Sequence, residues 1–589
     1  MGPFQRLAIG LASTTLFGVA APIQYTAEQL ALLDPSARMA GLCGGGAKGS
    51  SMRDRLALVA AVVQAQATPG IRLYDGLGKV RFPISTPSEA AQRYFDQGLG
   101  FAYGFNHAAA IASFREAQRL DPACAMCWWG EALAYGPNIN APLTPDANSL
   151  ALKAIAQAQQ LSAKVTPAER ALIMALTKRY SEKHDAAARA ELDAAYADAM
   201  LVVARFYPQH DDISLLAAEA AMDTLPWNYW DAEKRNPQPR LGEAIHLVEA
   251  VMARNSEHPQ APHLYIHLME NGPDPKRAEA AADRLSAPLA GDAGHLVHMP
   301  AHIYYRLGRW KDSIRVNVDA ARMDEAYIRE SDDKGFVRYG YYPHNVHFIV
   351  TSAQMAGDLP TAIAEAKRLA GIVDAETATQ IAWIQAIHAA PYFAASQFAP
   401  AADVLALPEP DPRLAYVAGI RHYVRAVAYA QQKNEQGFNR ELAELNRIRQ
   451  SDGLKSMVDM GVPAPDLLGI AEHVARGRFA SVRGRHEQAA DHFRQAVAIE
   501  DTIPYMEPPF WYYPVNQSLG AALYRAGRYQ EAQQAFMAAI AKYPGNGWAL
   551  YGLAQSERAL GRPAQAAAAQ AALSRAWLGD PKWLRMERI

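Results

Sequence analysis

The residues best equipped for chemistry in this chain are histidines. Of 17, seven fall within residues 263–347: His263 and His267 in APHLYIHLMEN, His295, His298 and His302 in GHLVHMPAHIYYRLGRW, and His344 and His347 in YYPHNVHF. Their internal spacings are i,i+4, then i,i+3,i+7, then i,i+3, each of which returns to one side of a helix. His263 to His298 and His267 to His302 are both 35 residues; His295 to His344 and His298 to His347 are both 49. Equal offsets predict matching positions in three consecutive helical units, the third set back by the polar segment DEAYIRESDDKGFVRYG. Neutral imidazole is the commonest ligand for zinc, copper and non-haem iron. Seven of them exceed one tetrahedral site, so the expectation is a centre for copper, iron or zinc, with room for more than one ion. With no thiolate nearby, an open histidine and carboxylate centre that admits water or substrate is more natural than a closed structural zinc site. Pro300 complicates the pattern, since a helix starting there would leave His295 and His298 in a loop.

Carboxylates accompany the histidines. Glu270 lies three residues beyond His267 on the same flank, and Glu219 and Asp223 fall on the corresponding face one unit earlier. Glu219 and Glu270 are therefore the candidates to ligate or to move protons. Asn138, Asn140, Trp227, Tyr229 and Trp230 are expected to line the groove beside them, although aromatics at such density more often build core. Cys124 and Cys127 form a C-x-x-C pair with no histidine following, which excludes haem attachment and leaves too few ligands for zinc; a local disulfide is expected. His107 reads as structural, and His388, His422, His473, His486 and His492 share no register. No P-loop, G-x-S-x-G or H-E-x-x-H motif is present, so NTPase, α/β-hydrolase and zincin functions have no support.

The elements that must position these residues are helices. From Ser88 onward the sequence is rich in helix formers with amphipathic spacing, and the β-rich runs needed for a sheet are absent. LGAALYRAGRYQEAQQAFMAAIAKYP carries Gly520, Gly527, Tyr529, Ala532, Phe536 and Pro544, and a second copy follows, with Gly520 to Ala554 and Gly527 to Gly561 both 34 residues. Near the front, Gly98, Ala110, Phe114, Ala117 and Pro122 keep the same register. This period resembles tetratricopeptide repeats, strongly at both ends and in degenerate form through about 150–260 and 375–510. The resemblance implies an all-α, tetratricopeptide-like α-solenoid, a right-handed superhelix of helical hairpins whose first helices line a concave groove.

Length and charge bound the rest. A chain of 589 residues would ordinarily divide into several domains, but one continuous solenoid accounts for the repeats more economically. With 58 Lys+Arg against 60 Asp+Glu, the net charge of −2 lacks the positive field of a nucleic-acid binder, so no nucleic-acid partner is expected. No apolar run reaches the roughly 18 residues of a membrane span. Two stretches resemble export signals: Met1 to Ala21, and MRDRLALVAAVVQAQA from Met52, which ends in Ala65-Gln66-Ala67. Translation is expected to begin naturally at Met52, and the product to be exported to the periplasm. The expected organisation is a leader over 1–67, an extended segment over 68–87, N-terminal repeats over 88–260, His-rich repeats over 261–372, degenerate repeats over 373–510 and C-terminal repeats over 511–589.

Taken together, LYDGLGKVRFPIST, YGFNHAAAIASFREAQRLDPACAMCWWGEALAYGPNINAP, HLYIHLME, GHLVHMPAHIYYRLGRW, YPHNVHF and EPPFWYYPV resemble a widespread group of exported bacterial tetratricopeptide proteins, from Ile71 to Trp583. The resemblance implies the fold, export and the unity of these motifs, and supplies no reaction. Relatives are expected to carry extra histidines where this chain has LGKVRFPIST, which implies that one metal position here differs. The resulting expectation is a metalloenzyme, with copper or iron redox chemistry ahead of zinc-dependent hydrolysis, acting on a small molecule or peptide in the groove. The alternative is a scaffold that binds a peptide or protein partner, with metal structural or incidental.

Overall fold

The computed structural model describes residues 70–183, 185–286, 289 and 292–589. The expected leader, both signal-like stretches, the Met52 start and Cys43 lie outside the described residues. Every regular element among those described is helical; the only β-type contacts there are the isolated bridges Asn138–Ala141 and Trp230–Pro237. Helices pack on their neighbours in sequence, from Glu89–Tyr103 on His107–Leu120 to Gly547–Ala559 on Pro563–Ala576. One buried apolar cluster runs from Leu77 to Ile589, so the fold is a continuous all-α, tetratricopeptide-like solenoid.

The repeat register has a steric cause. A Cβ on Gly98 would lie 2.6 Å from the Phe114 ring, and one on Gly520 would lie 2.9 Å from Phe536. Each of these rings is also pressed against a glycine of the next hairpin, Gly130 and Gly552 respectively. A fully buried phenylalanine fills the space that two missing side chains leave, which lets three helices approach closely. The same pairing recurs at Gly477 and Phe493, at 2.7 Å, inside the stretch expected to be degenerate. There the repeat is intact at its packing centre and has diverged only around it.

Two long-range features convert the superhelix from an open groove into a closed body. The extended residues before Ser88 form a strap: Gly76 exchanges backbone and side-chain hydrogen bonds with Asp292, Lys79 pairs with Glu257, and Arg72 pairs with Glu330. At the other end, the C-terminal hairpins return onto the His-bearing units. Trp310 Nε1 donates to the Gly545 carbonyl at 2.7 Å, Trp548 Nε1 to the Gln354 carbonyl at 2.9 Å, and the Leu578 amide to the Ala356 carbonyl at 2.9 Å. The receiving turns are built on Gly308 (φ +70°) and Gly357 (φ +73°), the left-handed C-caps of Pro300–Leu307 and Tyr342–Ala356.

Gly308 serves both as a left-handed cap and as a docking surface, because a Cβ there would run into the Pro544 carbonyl. Gly527 (φ +80°) is also left-handed but has nothing within 4 Å of its Cβ position. Gly527→Ala should therefore cost about 1–2 kcal/mol, the left-handed penalty alone. Gly308→Ala should cost about 2–4 kcal/mol, since it adds overpacking at the closure. Chemical denaturation of the two variants checks this, and equal losses would sink the closure argument.

Candidate metal centre

The helix Gln260–Glu270 begins with Pro262 in its first turn, where a missing N–H is harmless. It presents Gln260, His263, His267 and Glu270 at helical spacing, all buried. The next unit is interrupted where the sequence warned it would be: Gly294–His298 and Pro300–Leu307 are separate helices. The expected loop is nevertheless absent. Met299 keeps helical angles (φ −52°, ψ −36°), so the ladder breaks at Pro300 while the chain stays helical, and His295, His298 and His302 all turn inward. The third helix, Tyr342–Ala356, starts with Pro343 and carries His344 and His347.

Six of the seven histidines form two triads. Ligand nitrogens of His263, His267 and His295 lie within 4.8 Å of one another, and so do those of His298, His302 and His344. The triads adjoin, with ring centroids 6.0 Å apart for His267 and His302 and 6.1 Å for His295 and His298. The division falls within the helix Gly294–His298: His295 completes the first triad, while His298 joins His302 across the break at Pro300. His347, expected among the ligands, belongs to neither triad and lines the adjoining cavity instead.

The surrounding hydrogen bonds fix which ring nitrogens carry protons. Asn317 donates through Nδ2 to the Ser313 carbonyl, so its Oδ1 faces His298 Nδ1 at 2.6 Å and that nitrogen must donate. Gln260 donates through Nε2 to Glu219, which turns its Oε1 toward His263 Nδ1 at 2.9 Å. The Glu270 carboxylate accepts from His267 Nδ1 at 2.9 Å on one oxygen and from His302 Nδ1 at 2.6 Å on the other. Four imidazoles are thus held as Nδ1–H tautomers with Nε2 lone pairs directed at the triads. The Nε2 atoms of His263 and His267, and both nitrogens of His295, are buried without a protein partner. His298 Nε2 and His302 Nε2 face each other at 2.8 Å, where two lone pairs repel unless a proton or a cation lies between them. Metal-binding histidines are characteristically oriented in this way, by a carboxylate or amide on the far nitrogen.

Burial dominates the electrostatics. It pushes His263, His295, His298 and His344 well below the ordinary imidazole range, and His347 down to about 3. His267 is also lowered by burial, against the pull of Glu270. Glu270 would itself be pushed up by burial, but the facing His302 and the bonds from His267 and His302 hold it down at about 2. For His302, Glu270 overcomes burial and raises the imidazole above its usual value. Two phenylalanines cap the triads: Phe105 lies 4.7, 5.9 and 5.2 Å from the His263, His267 and His295 rings, and Phe348 lies 5.0, 5.1 and 5.0 Å from His298, His302 and His344. Phe105 adopts φ +55° and Trp227, edge-on to His267 at 5.1 Å, adopts φ +64°. Such strain persists only where the surroundings enforce it, and it concentrates at functional sites.

A cavity partly open to solvent adjoins the triads and is bordered by His267, His295, His302 and His344. Of the residues expected to line the groove, Asn140 and Trp227 do border it. Asp223 instead binds Arg179 in a second, smaller cavity shared with Glu219 and His107. Glu219 thus reaches the triads only through Gln260, and Glu270 acts from behind the rings as their orienting carboxylate. Asn138 binds His107 and its own turn, while Trp230 donates to the Leu268 carbonyl behind the histidine helix. Tyr229 is buried and borders neither cavity; these three are tied up in packing or turns. Cys124 and Cys127 are disulfide-bonded at the start of the helix Ala125–Tyr135.

Sequence spacing does not single out Tyr505 and Glu507. They enter from a loop 235 residues beyond Glu270, with the Tyr505 hydroxyl donating to Glu507 at 2.7 Å and lying 3.3 Å from Glu270. Burial pushes the Glu507 carboxyl up to about 7 against the pull of His302 and Arg306. The only sequence signal for this loop was the EPPFWYYPV block.

The tetratricopeptide repeat family model matches residues 523–586, the C-terminal hairpins. A comparison with curated proteins finds no match. Among solved structures, the human IFIT1 dimer with m7Gppp-AAAA is similar at 13% identity and TM-score 0.31, covering 73% of this chain and 86% of that one. The APC/C hetero-tetramer Cut9-Hcn1 aligns at 11% identity and TM-score 0.27 over 82% and 90%. The P58(IPK) TPR domain aligns at 13% and 0.18 over 75% and 99%. Scores at this level carry no functional statement.

The pKa shifts predict an acid-sensitive metal-free protein. A histidine held neutral in the fold and protonated on unfolding contributes stability that is present above about pH 6.5 and lost as pH falls toward its depressed value, near 3 for His347. Six of the seven histidines act in this direction. His302 opposes them, its contribution being present below about pH 6.5 and lost as pH rises through its raised value. Stability should drop between pH 7 and pH 5 by about 1.4 kcal/mol per pH unit for each histidine protonated on unfolding. Denaturant titrations of metal-free protein at the two pH values check this, and unchanged midpoints would refute it.

Proposed function

We propose that the chain is a metalloprotein that holds one ion in each triad, and that it is a metalloenzyme acting on a small molecule in the adjoining cavity. The observation that carries this reading is the tautomer arrangement: Glu270, Gln260 and Asn317 turn Nε2 lone pairs inward, and two of these meet at 2.8 Å. An all-imidazole donor set without thiolate suits copper, zinc or iron, and copper stands highest in the general affinity order for nitrogen ligands. Copper or iron bound there would supply one- or two-electron redox chemistry; zinc would supply a polarised water.

The chain's own residues divide the remaining work. Phe105 and Phe348 keep water from the rings, Glu270 holds His267 and His302 in one tautomer, and Glu507 can take up or release a proton at its cavity-facing carboxyl. The scaffold reading, in which the groove takes a peptide or protein with metal structural or incidental, is supported by the tetratricopeptide-like fold and the repeat match over residues 523–586. We also infer an exported setting. The Cys124–Cys127 disulfide supports it, since such bonds persist in oxidising compartments. No helix among the described residues is long and apolar enough to cross a membrane, and the net charge of −2 gives no basis for a nucleic-acid partner.

Elemental analysis of the purified protein should find two metal ions per chain. Replacing His263 and His267 by Ala, or His298 and His302 by Ala, should each leave one. Glu270→Gln should weaken binding at both triads by about 10–100-fold, the usual cost of losing an orienting partner. Less than one tightly held metal per chain, unchanged by the double substitutions, would overturn the reading.

A further inference from the structure

We propose that the cavity beside the triads takes a neutral aromatic molecule bearing a hydroxyl group, a phenol in the simplest case. The inference rests on the metal-centre reading in one respect, since it places the ligand's polar end against the histidine face.

The two ends of the cavity have different chemistry. Away from the histidines its walls are Phe336, Trp383, Ile387, Phe393 and Phe510. The rings brace one another: Phe336 meets Tyr341 edge to face at 4.4 Å, and Phe393 stacks on Tyr512 at 4.4 Å. A planar ring inserted between such walls gains both apolar burial and aromatic packing. The cavity has room for a substituted ring, and the loop from Tyr505 to Phe510 forms part of its wall.

The polar lining contains no fixed cation: among the described residues no lysine or arginine borders the cavity, and the only carboxyl there is that of Glu507. A carboxylate or phosphate ligand would therefore be desolvated without a counter-charge from the chain. Glu507 is 7% exposed; its Oε1 accepts from Tyr505, and its Oε2 is buried with no protein partner. His295, which also borders the cavity, has both ring nitrogens without a protein partner and lies 4.4 Å from the Tyr341 ring. A ligand hydroxyl supplies the donor that Glu507 lacks and an oxygen that can face the histidines. A purely apolar ring would bury these groups unpaired.

The test is a titration of the full-length chain, as purified and after chelator treatment, with 4-ethylphenol, ethylbenzene and 4-ethylbenzoate, followed by tryptophan fluorescence. The expected result in the chelated form is one saturable site that binds 4-ethylphenol about tenfold or more tightly than either analogue, and in the metal-holding form one that prefers 4-ethylphenol to ethylbenzene by the same factor, the discrimination available to a site built to bond a hydroxyl. Glu507→Leu should erase the preference over ethylbenzene. Ile387→Trp should abolish binding of all three with the thermal unfolding midpoint retained, which distinguishes a filled cavity from an unfolded chain. Equal affinity for 4-ethylphenol and ethylbenzene, tighter binding of 4-ethylbenzoate by the chelated form, or no saturable binding would overturn the proposal. Because the chelated form is included, phenol binding by a chain that holds no metal would leave the ligand class standing while the metal reading fell, and a metal-replete chain that ignored phenols would do the reverse.

Discussion

The structure depends on keeping one carboxylate, that of Glu270, charged in a fully buried position. Removing such a group from water costs several kcal/mol unless its oxygens are satisfied. Here two imidazole N–H groups satisfy them, with the Tyr505 hydroxyl 3.3 Å from one oxygen. Those three groups come from different parts of the chain: the same helix one turn back, the next repeat, and a loop that arrives only after the solenoid has curled. Meeting the needs of a single anion thus aligns two repeats, fixes one histidine tautomer in each triad and anchors the wall of the cavity. Removing any of these donors would leave an underbonded charge in the core, so the arrangement is strongly coupled.

Curling the superhelix onto itself makes this possible. Tetratricopeptide-like hairpins stacked without closure expose a long concave face, and a histidine lattice on that face would be solvated. Here the hairpins near Gly545 and Leu578 cover the turns at Gly308 and Ala356. The strap from Arg72 to Lys79 covers the opposite side. The result is that His263, His267, His298 and His302 are each at most 4% exposed on what would otherwise be an open groove. The low polarity that depresses most of their pKa values follows from closure and not from any property of the repeat itself.

What the sequence could reveal divides along the range of the interactions. The Gly98 and Phe114 pairing is local to one hairpin, and its 34-residue recurrence announced the fold; the same spacing at Gly477 and Phe493 was equally legible and was obscured only by divergence of the residues around it. Offsets of 35 and 49 put seven histidines at matching helical spacings, and the structure brings six of them together. They could not give the division into triads, because it falls between His295 and His298 of one short helix, and the neighbouring helices decide which triad each ring meets. Nor could they show Glu270 bonding to two rings at once. The positions of Phe105, Phe348, Tyr505 and Glu507 were hidden for a different reason. Their types are ordinary for a core, and only closure brings them to the site.

Charge sets the remaining constraint on how such a centre can work. Around the triads the fixed anions are few. Glu270 is charged but already engaged by His302 and His267, Glu507 is pushed up to about 7, and Glu219 is raised by burial and by the neighbouring Asp223. Two divalent ions among neutral imidazoles would leave a large uncompensated positive charge in a medium of low polarity, which is costly. That charge is relieved either by an anion drawn in from solvent or by ions of lower charge. A permanently divalent ion such as zinc has only the first route. A metal with an accessible monovalent state, as copper has, would have both, so the burial that keeps the site dry would also favour its reduced form. For the proposed centre holding copper, a preference for redox chemistry over hydrolysis would come less from the identity of the ligands, which zinc shares, than from the scarcity of negative charge around them.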